Sequence, residues 1–528
     1  MATEEEQLHA LCLWDCVDQV LANPSAYYRW HALIPLYLAE KSEEVCAQVK
    51  TRLLKDIPDA DIEQFFLMTF LAEVTHDLRY SEDAAQILLA IRPLDIERIT
   101  AFLVYEWGRH VGDGVNRQEF IEALKAAQFP TLIRLLQQQI ALRSQVKLAA
   151  RQITSVKKIA LVTPYIANVK HTPTSLSLQH AAILGKLGIE VHIFSTQEIR
   201  IAEMPKYLGS QGTLHLPGPD LAWLQSCLSE NLSITLASEQ FSLPLRYVHL
   251  EQKLVEFDPD LVFFVGLWSP FMHTIRCMRP TFGLCIHSVQ PMAEVDLWLC
   301  ASAEMSAQQS AMWAPELPSA YAFYHPYRVA LQPVKQSLSR KELGLPSDAV
   351  VLISAGYRLA REIHGEWARG MLAFLLAHPE CIWVLLGGIE VLPSELTSIP
   401  SSQLKIMPAT DDVRSVFRCC DIYVNPPRLG GGFSVAEAMA ESLPILAFSQ
   451  SDGGNKIGDE AVFSTYDYFE KLSELVEHKD QRESLGKKMK KLFLNTLDLA
   501  SSHASLMQAL TTTVDLFNQR EFAQKTKQ

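Results

Sequence analysis

Hydrophobic positions follow a helical period over the first part of the chain. From residue 5 to 153, apolar residues recur at spacings of three and four, as in "EQFFLMTFLAEV" and "ERITAFLVYEW", with breaks at "NPSA", "DIPDAD" and "FPTL". This period is typical of amphipathic helices, and the alternation that marks a strand is nearly absent. The pattern therefore predicts an all-helical domain over residues 1–153.

The pattern changes at Lys157, where a basic entry leads into the buried-strand run "KKIALVTPY". A helical run, "LSLQHAAILGKLG", and a second strand, "IEVHIFS", follow. A strand, helix, strand unit requires a parallel sheet with a right-handed crossover. Further runs, "DPDLVFFVG", "FGLCIH" and "DLWLCAS", predict more short strands. Residues 154–330 are therefore predicted to form a Rossmann-like domain.

A second alternation of strands and helices begins after the proline-containing stretch "HPYRVALQPVKQSLSRKELGLPSD", which is typical of a linker. The runs "AVVLISAG", "CIWVLLGG", "DIYVNPP" and "LPILAFS" predict strands, and "GEWARGMLAFLLAHP" and "TDDVRSVFRCC" predict helices between them. We therefore predict a second Rossmann-like domain over residues 331–500 and a C-terminal helix over 501–528. Two such domains facing a cleft that holds a ligand are the expected α/β architecture.

A glycine-rich loop in "RLGGGFSVAEAMAESLPIL" precedes a helix that we expect to begin near Ser434. Ligands of parallel α/β sheets bind beyond the carboxyl ends of the strands, where this loop lies. Glycines allow close approach of the backbone, and a helix N-terminus favours an anion such as phosphate. Glu437, one turn into the helix, would instead accept hydrogen bonds from sugar hydroxyls. The alternative is a loop that only permits tight packing of strand and helix.

The segment "CDIYVNPPRLGGGFSVAEAMAESLPILAF", with the later "DGG", resembles the donor-binding cassette of GT-B glycosyltransferases, in particular the large retaining family that uses nucleotide sugars. The resemblance extends in architecture over residues 156–500 and is sharp over 405–460. It implies a GT-B fold, and it implies that Glu437 holds the ribose of a donor that is UDP-linked. It also implies that the loop lies against the diphosphate and the donor sugar through Gly430, Gly431, Gly432, Phe433 and Ser434.

Two departures from the family pattern concern charged residues. The family's first Glu, which stands eight residues before the second, falls here on Leu429. The family's Arg and Lys, which clamp the diphosphate, are matched by Arg358 in "SAGYRLAREIHGE", but the Lys position is apolar or displaced and Arg361 is the nearest cation. Arginine binds phosphate in bidentate geometry, so Arg358 and Arg361 are predicted to neutralise the leaving group. A solvated surface charge is the equally weighted alternative for Arg361.

Other candidate side chains stand at predicted strand ends of the first Rossmann-like domain. His171, in "VKHTPTSLSLQH", lies in a loop that faces the cleft in a GT-B fold, where a histidine acts as a base or binds the donor sugar. A loop histidine without a role in catalysis is the alternative. His287 and Trp268 are weaker candidates for the same cleft, and Trp268 is more typical of a core residue.

An acidic pair, Asp258 and Asp260, matches the D-x-D with which other glycosyltransferases hold a metal ion. Here the pair precedes its strand and therefore lies at the wrong end of the sheet. We predict an acidic turn and no metal ion, so that helix amides and arginine stabilise the leaving group by electrostatics.

Composition and charge narrow the class of protein. The net charge of −13 argues against general binding of nucleic acid. The chain has no apolar run of about eighteen residues, the length that a transmembrane helix requires, and its acidic start is unlike a secretory signal. Ten scattered cysteines fit neither a zinc pattern nor a CxxC redox pair and are typical of reduced thiols. These features predict a cytoplasmic protein.

Together the patterns predict a metal-independent glycosyltransferase, a hexosyltransferase that needs no cofactor because the nucleotide sugar is its substrate. All-helical N-terminal domains occur in protein-modifying glycosyltransferases, so an acceptor protein is predicted to bind residues 1–153. Whether the protein forms a homo-oligomer is left open. Two alternatives also stay open: a non-catalytic GT-B subunit, favoured by Leu429 and the incomplete cation pair, and a nucleotide-sugar epimerase with the same fold.

Overall fold

The chain forms two compact units, Met1–Tyr324 with Met507–Gln528, and His325–Leu506. Each unit contains one parallel β-sheet. The structure is a computed structural model that describes residues 14–23, 43–55, 61–112, 117–144, 148, 151–168, 171–201, 204–208, 216–286, 289–301, 312–313, 315–331, 333–389, 392–428 and 430–525.

The N-terminal part of the first unit is helical in the residues described, as predicted. Helical residues 14–22 precede α1 (Glu43–Lys55), α2 (Asp61–Thr75), α3 (Leu78–Ala90), α4 (Ile96–Gly112), α5 (Arg117–Ala126) and α6 (Phe129–Arg143). The central helix α2 buries Phe65, Phe66 and Phe70, because its apolar residues surround the helix axis. Helices with apolar residues on all sides are typical of a core position. These helices continue one hydrophobic core with the sheet of the same unit.

The sheet of the first unit is fully parallel, with helices in the connections. Its strands are β1 (Lys158–Thr163), β2 (Glu190–Ser195), β3 (Leu232–Leu236), β4 (Leu261–Val265), β5 (Thr281–Leu284), β6 (Leu297–Cys300) and β7 (Tyr321–Tyr324). The strand order is β3-β2-β1-β4-β5-β6-β7. The helices of this region are α7 (Thr172–Lys186), α8 (Met204–Leu208), α9 (Leu221–Cys227), α10 (Leu243–Phe257) and α11 (Phe271–Arg276).

The second unit repeats this arrangement with five parallel strands. Its strands are β8 (Val350–Ala355), β9 (Cys381–Leu386), β10 (Leu404–Met407), β11 (Ile422–Val424) and β12 (Ile445–Leu446). Their order is β10-β9-β8-β11-β12. The helices are α12 (Leu359–Glu362), α13 (Gly365–Ala377), α14 (Val413–Phe417), α15 (Gly432–Ala440), α16 (Asp452–Ile457), α17 (Thr465–Glu477), α18 (Lys479–Thr496) and α19 (His503–Lys525), and α19 ends in the first unit.

The strand order of the second unit reverses at one point, between β8 and β11. These strands pair in parallel, with Leu352 opposite Ile422 and Ile353 opposite Tyr423. Ligands of open α/β sheets bind at such a switch point, beyond the carboxyl ends of the two strands. The loop after β8 and the glycine-rich loop after β11 leave the sheet there.

Three strands of the structure were not predicted from the hydrophobic pattern: β3, β7 and β10. All three lie at an edge of their sheet. Most of their residues are only half-buried or exposed. The strands that were predicted are almost all central and buried.

Candidate functional site

The glycine-rich loop meets the loop after β8 through two arginines. A Cβ atom on Gly430 would lie 2.5 Å from Nη2 of Arg358, so the guanidinium of Arg358 rests directly on the loop backbone. Arg358 also pairs with Glu362, at 3.1 Å between Nη2 and Oε1, and its side chain is 45% exposed. The switch point thus brings Arg358 and Gly430 together, although they stand far apart in the sequence.

Arg428 is buried under the loop and was not among the predicted site residues. Its Nε donates to Oδ1 of Asn425 at 2.9 Å, and its Nη2 donates to the carbonyl of Ala355 at 3.0 Å and to the hydroxyl of Tyr423 at 3.2 Å. Its Nη1 donates to Oε2 of Glu362 at 2.9 Å. Burial lowers the pKa of Arg428, but Tyr423 and Glu362 outweigh burial and leave that pKa above its ordinary value. Arg428 therefore stays charged and ties the two loops together.

The loop turns into α15 through a left-handed glycine. Gly431 has φ +84° and ψ 0°, a conformation that residues with a Cβ rarely adopt, and its own Cβ would overlap the guanidinium of Arg428. The helix begins at Gly432, two residues before the predicted start near Ser434, and no side chain caps it. The first N–H groups of a helix have no intrahelical partner. The N-terminus of α15 therefore places its amides and the positive end of its dipole at the glycine-rich loop.

The hydroxyl of Ser434 is engaged within the protein. It donates to the carbonyl of Gly431 at 2.9 Å and accepts from the hydroxyl of Tyr423 at 2.8 Å. The side chain of Ser434 therefore fixes the first turn of α15, and its predicted role in holding a diphosphate stays a prediction. Phe433 follows Gly432 and is half-buried.

Glu437 stands on α15, one turn after the glycine-rich loop, and is half-buried. Among the residues that the structure describes, no side chain or backbone group forms a hydrogen bond with its carboxylate. Burial raises the pKa of Glu437 to about 7, and the positive charge of Arg414 opposes this only in part. A carboxylate that is partly desolvated and held by no donor of the protein costs stability. Such a group is typical of a binding site, where the ligand supplies the missing donors.

The second glycine pair, in "SDGG", packs α16 against the sheet. Ser451 caps α16 by accepting from the N–H of Gly454 at 2.9 Å. A Cβ on Gly454 would overlap the carbonyl oxygen of Phe448, and a Cβ on Gly453 would lie 2.9 Å from Nδ2 of Asn425. The glycines therefore allow α16 to approach the ends of β11 and β12 closely.

We expect Gly454→Ala to lower the free energy of unfolding by about 1–3 kcal/mol, because the new methyl group meets a backbone carbonyl that cannot rotate away. Gly185→Ala is the matched control, since Gly185 has no positive φ and a Cβ there would meet only the Cβ of Asn231 at 3.7 Å, an ordinary contact. Urea titration of the three proteins measures the difference. Equal stability of Gly454→Ala and the wild type would contradict the close approach.

Arg361 and His171, the other two residues predicted to act in catalysis, differ in how far their side chains are exposed to solvent. Arg361 is exposed in the last turn of α12. His171 precedes α7 and is half-buried, with Nδ1 at 2.7 Å from the hydroxyl of Thr174 and its ring at 4.7 Å from the ring of Tyr165. His171 belongs to the first unit and Arg361 to the second. Their predicted roles in catalysis stay predictions.

The remaining candidates are structural or lie outside the described residues. Trp268 is buried and packs edge-on against Trp107 at 5.5 Å and Phe129 at 5.8 Å, so it is a core residue and stacks on no sugar. His287 and Leu429 lie outside the described residues.

Both acidic residues of the D-x-D motif form ion pairs with arginines. Arg151 binds Asp258 at 2.6 Å and Asp260 at 2.7 Å, and Arg279 binds Asp258 at 2.7 Å. These contacts hold the start of β4, at the opposite end of the strand from the ligand edge. Within the described part of the chain, no group of three histidine, cysteine or acidic side chains is arranged to hold a metal ion.

The described helices also include none that is both long and apolar enough to cross a membrane. The cytoplasmic location of the protein stays a prediction.

Sequence reasoning missed three charged residues of the site: Arg428, Asp452 and Lys456. Arg428 directly precedes the loop in "NPPR", and a lone arginine at the end of a buried strand was the available signal. Asp452 and Lys456 lie on α16, and a Cβ on Gly432 would overlap the carboxylate of Asp452 and lie 2.8 Å from Cε of Lys456. Their place beside α15 depends on how the two helices pack, and no sequence spacing indicates it.

Comparison with known proteins identifies the fold. No protein-family model matches the chain, and no curated protein matches its sequence. Among solved structures, an O-GlcNAc transferase of Thermobaculum terrenum aligns with 98% of this chain and 100% of its own, at a TM-score of 0.55 and 11% identity. A glycosyltransferase of Rickettsia africae aligns with 69% of this chain and 99% of its own, at a TM-score of 0.48 and 10% identity. The predicted fold class, a GT-B fold preceded by a helical region, is confirmed.

Proposed function

We propose that this protein transfers a sugar from a nucleotide diphosphate donor, UDP-linked by preference, to an acceptor. The observation that carries the proposal is the carboxylate of Glu437, which is half-buried beside the start of α15 and has no hydrogen-bond partner in the described residues. Two ribose hydroxyls supply the donors that this carboxylate lacks. The likeness of the fold to the Thermobaculum terrenum O-GlcNAc transferase supports the proposal.

The diphosphate would bind where the amides of α15 and the guanidinium of Arg358 converge on the glycine-rich loop. Backbone N–H groups, a helix dipole and an arginine all favour negative charge at one place. Charge on a leaving diphosphate grows as the glycosidic bond breaks, and preorganised donors stabilise such charge without reorganisation. This electrostatic route needs no metal ion or cofactor, and it assigns Arg358, with Arg361 beside it, to the leaving group.

The acceptor side is assigned to the first unit. His171 stands at the start of α7, after β1, and its imidazole would act as a base or hold the donor sugar. Residues 1–153 would recognise the acceptor, and residues 154–330 and 331–500 would divide acceptor and donor binding between them. A protein acceptor is supported by the Thermobaculum terrenum O-GlcNAc transferase, because the likeness to it covers the helical region as well. A hexose is the proposed sugar, and the cytoplasm is the proposed location.

A panel of UDP-, GDP- and ADP-sugars tests this function. Thermal unfolding is first followed with each sugar nucleotide, and we expect UDP-sugars to raise the midpoint because a ligand that binds only the folded state stabilises it. Release of free nucleotide is then measured with a cell extract that supplies acceptor proteins. No stabilisation by any sugar nucleotide would refute the proposal.

Stabilisation without release of nucleotide in the presence of acceptor would instead identify the non-catalytic GT-B subunit. A nucleotide-sugar epimerase would convert the sugar of the donor while the nucleotide stayed attached. Chromatography of the recovered donor distinguishes this outcome from transfer.

A further inference from the structure

Lys456 lies at the N-terminus of α15, although it belongs to the neighbouring helix α16. Its Cε lies 2.8 Å from the position that a Cβ on Gly432 would take, and its Nζ lies 6.0 Å from the ring centre of Phe433. Gly432 and Phe433 are the first two residues of α15. The ammonium group of Lys456 is therefore within reach of the amides to which the proposed diphosphate binds.

The surroundings of Lys456 are unusual for a surface lysine. Its side chain is 12% exposed, and its ion-pair partner is Asp452, at 3.3 Å between Nζ and Oδ1. An ammonium group carries three donors, and this pair occupies one of them. Asp452 is 39% exposed, so its carboxylate can move into solvent without disturbing the core.

The carboxylate of Asp452 lies where an anionic ligand of α15 would bind. A Cβ on Gly432 would overlap its carboxylate, which therefore rests on the first residue of α15 beside the free amides. A carboxylate at a helix N-terminus is stabilised by the same amides and dipole that stabilise a phosphate. Negative charge is thus already present at this point, with Lys456 as its counter-ion.

A buried donor beside α16 is a second, independent sign of a ligand. Asn425 is fully buried at the end of β11, and its Nδ2 has no hydrogen-bond partner among the described residues. The atom lies next to Gly453 and Val435, between the first turns of α16 and α15. Buried amide donors are rarely left without an acceptor unless water or a ligand supplies one.

We propose that Lys456 is the second cation that grips the diphosphate, and that Asp452 is its counter-ion only while the site is empty. The inference rests on the proposed function, because it assumes that a nucleotide diphosphate binds at α15. Arg358 then neutralises the diphosphate from the loop after β8, and Lys456 neutralises it from α16. The position that holds a lysine in the resembling family is apolar or displaced here, and Lys456 supplies the missing charge from a different element.

The test measures the affinity of UDP, GDP and ADP, each beside its own nucleoside, by titration calorimetry with the full-length chain. For the diphosphate that binds the wild type most tightly, Lys456→Met should weaken binding about tenfold or more, since one charge-assisted hydrogen bond is lost. The matching nucleoside, which carries no phosphate, should bind both proteins alike. Lys456→Arg should retain most of the affinity because it retains the charge.

Two further variants separate the explanations. Lys471→Met removes a comparable ion pair, with Glu474 at 2.9 Å on α17, and should leave the affinity unchanged. Asp452→Asn should strengthen diphosphate binding, because the competing anion is gone. An unchanged diphosphate affinity in Lys456→Met, with a folded protein by thermal unfolding, would overturn the inference while the proposed function survives. Failure of all three diphosphates to bind the wild type would instead overturn the proposed function.

Discussion

Arg428→Met is expected to lower the free energy of unfolding by about 3 kcal/mol, because it breaks a buried ion pair and leaves Glu362 with only the half-exposed Arg358 as its counter-ion. The guanidinium of Arg428 is 3% exposed and binds the carboxylate of Glu362, whose own side chain is 8% exposed. It also binds Asn425 and the carbonyl of Ala355, which lose their donor. The methionine replaces the aliphatic part of the arginine side chain, so the loss comes mainly from the missing guanidinium with its hydrogen bonds and charge. Chemical denaturation of the two proteins measures the difference.

Arg418→Met is the matched control for this prediction. Arg418 also pairs with a carboxylate, Glu441, at 2.7 Å, but its side chain is 47% exposed. Exposed ion pairs contribute about 0–1 kcal/mol, so this variant should be nearly as stable as the wild type. Equal losses in the two variants would show that burial of Arg428 does not decide its contribution.

Glu437→Gln is expected to weaken binding of a UDP-sugar about a hundredfold, because two hydrogen bonds to a charged acceptor are lost. The same change should stabilise the protein without ligand. Burial raises the pKa of Glu437 from 4.5 to about 7, so the folded protein binds the proton more tightly than the unfolded chain does. The resulting stability is present below pH 4.5 and is lost as the pH rises through 7. Above that pH the ionised carboxylate costs roughly 2–3 kcal/mol, which glutamine removes.

Thermal unfolding of Glu437→Gln and the wild type between pH 5 and pH 8 tests whether ionisation of Glu437 lowers the stability of the wild type. We expect the variant to gain stability over the wild type as the pH rises, and donor affinity of the wild type to increase over the same range. Glu441→Gln is the control on the same helix region, because Glu441 is bound by Arg414 and Arg418 and its loss should destabilise. A Glu437→Gln protein that is less stable at pH 8 and binds donor normally would make Glu437 a structural residue.

Buried strands were predicted and half-exposed edge strands were missed, for one physical reason. A strand such as β8 or β4 is buried on both faces and therefore appears as a continuous apolar run between turn residues. β3, β7 and β10 have one neighbour each and remain partly exposed. Polar residues interrupt β3 and β10, and the residues at both ends of β7 are exposed, so none of the three appears as a buried apolar run. The start of α15 was also not predicted to the residue. The helix begins at Gly432 because the left-handed backbone of Gly431 ends the loop there, and the side-chain pattern does not show this.

The sequence by itself determined the alternation of buried strands and helices, the glycine-rich loop before α15 and the place of Glu437 one turn into that helix, because each depends on residues that are close in the chain. Only the tertiary structure decided which charges surround the loop. Arg358 reaches Gly430 because β8 pairs with β11, Arg428 is buried because both loops close over it, and Lys456 lies at Gly432 because α16 packs against α15. Side chains that are distant in sequence meet only after the sheet has set its strand order, and no local pattern of residues carries that information.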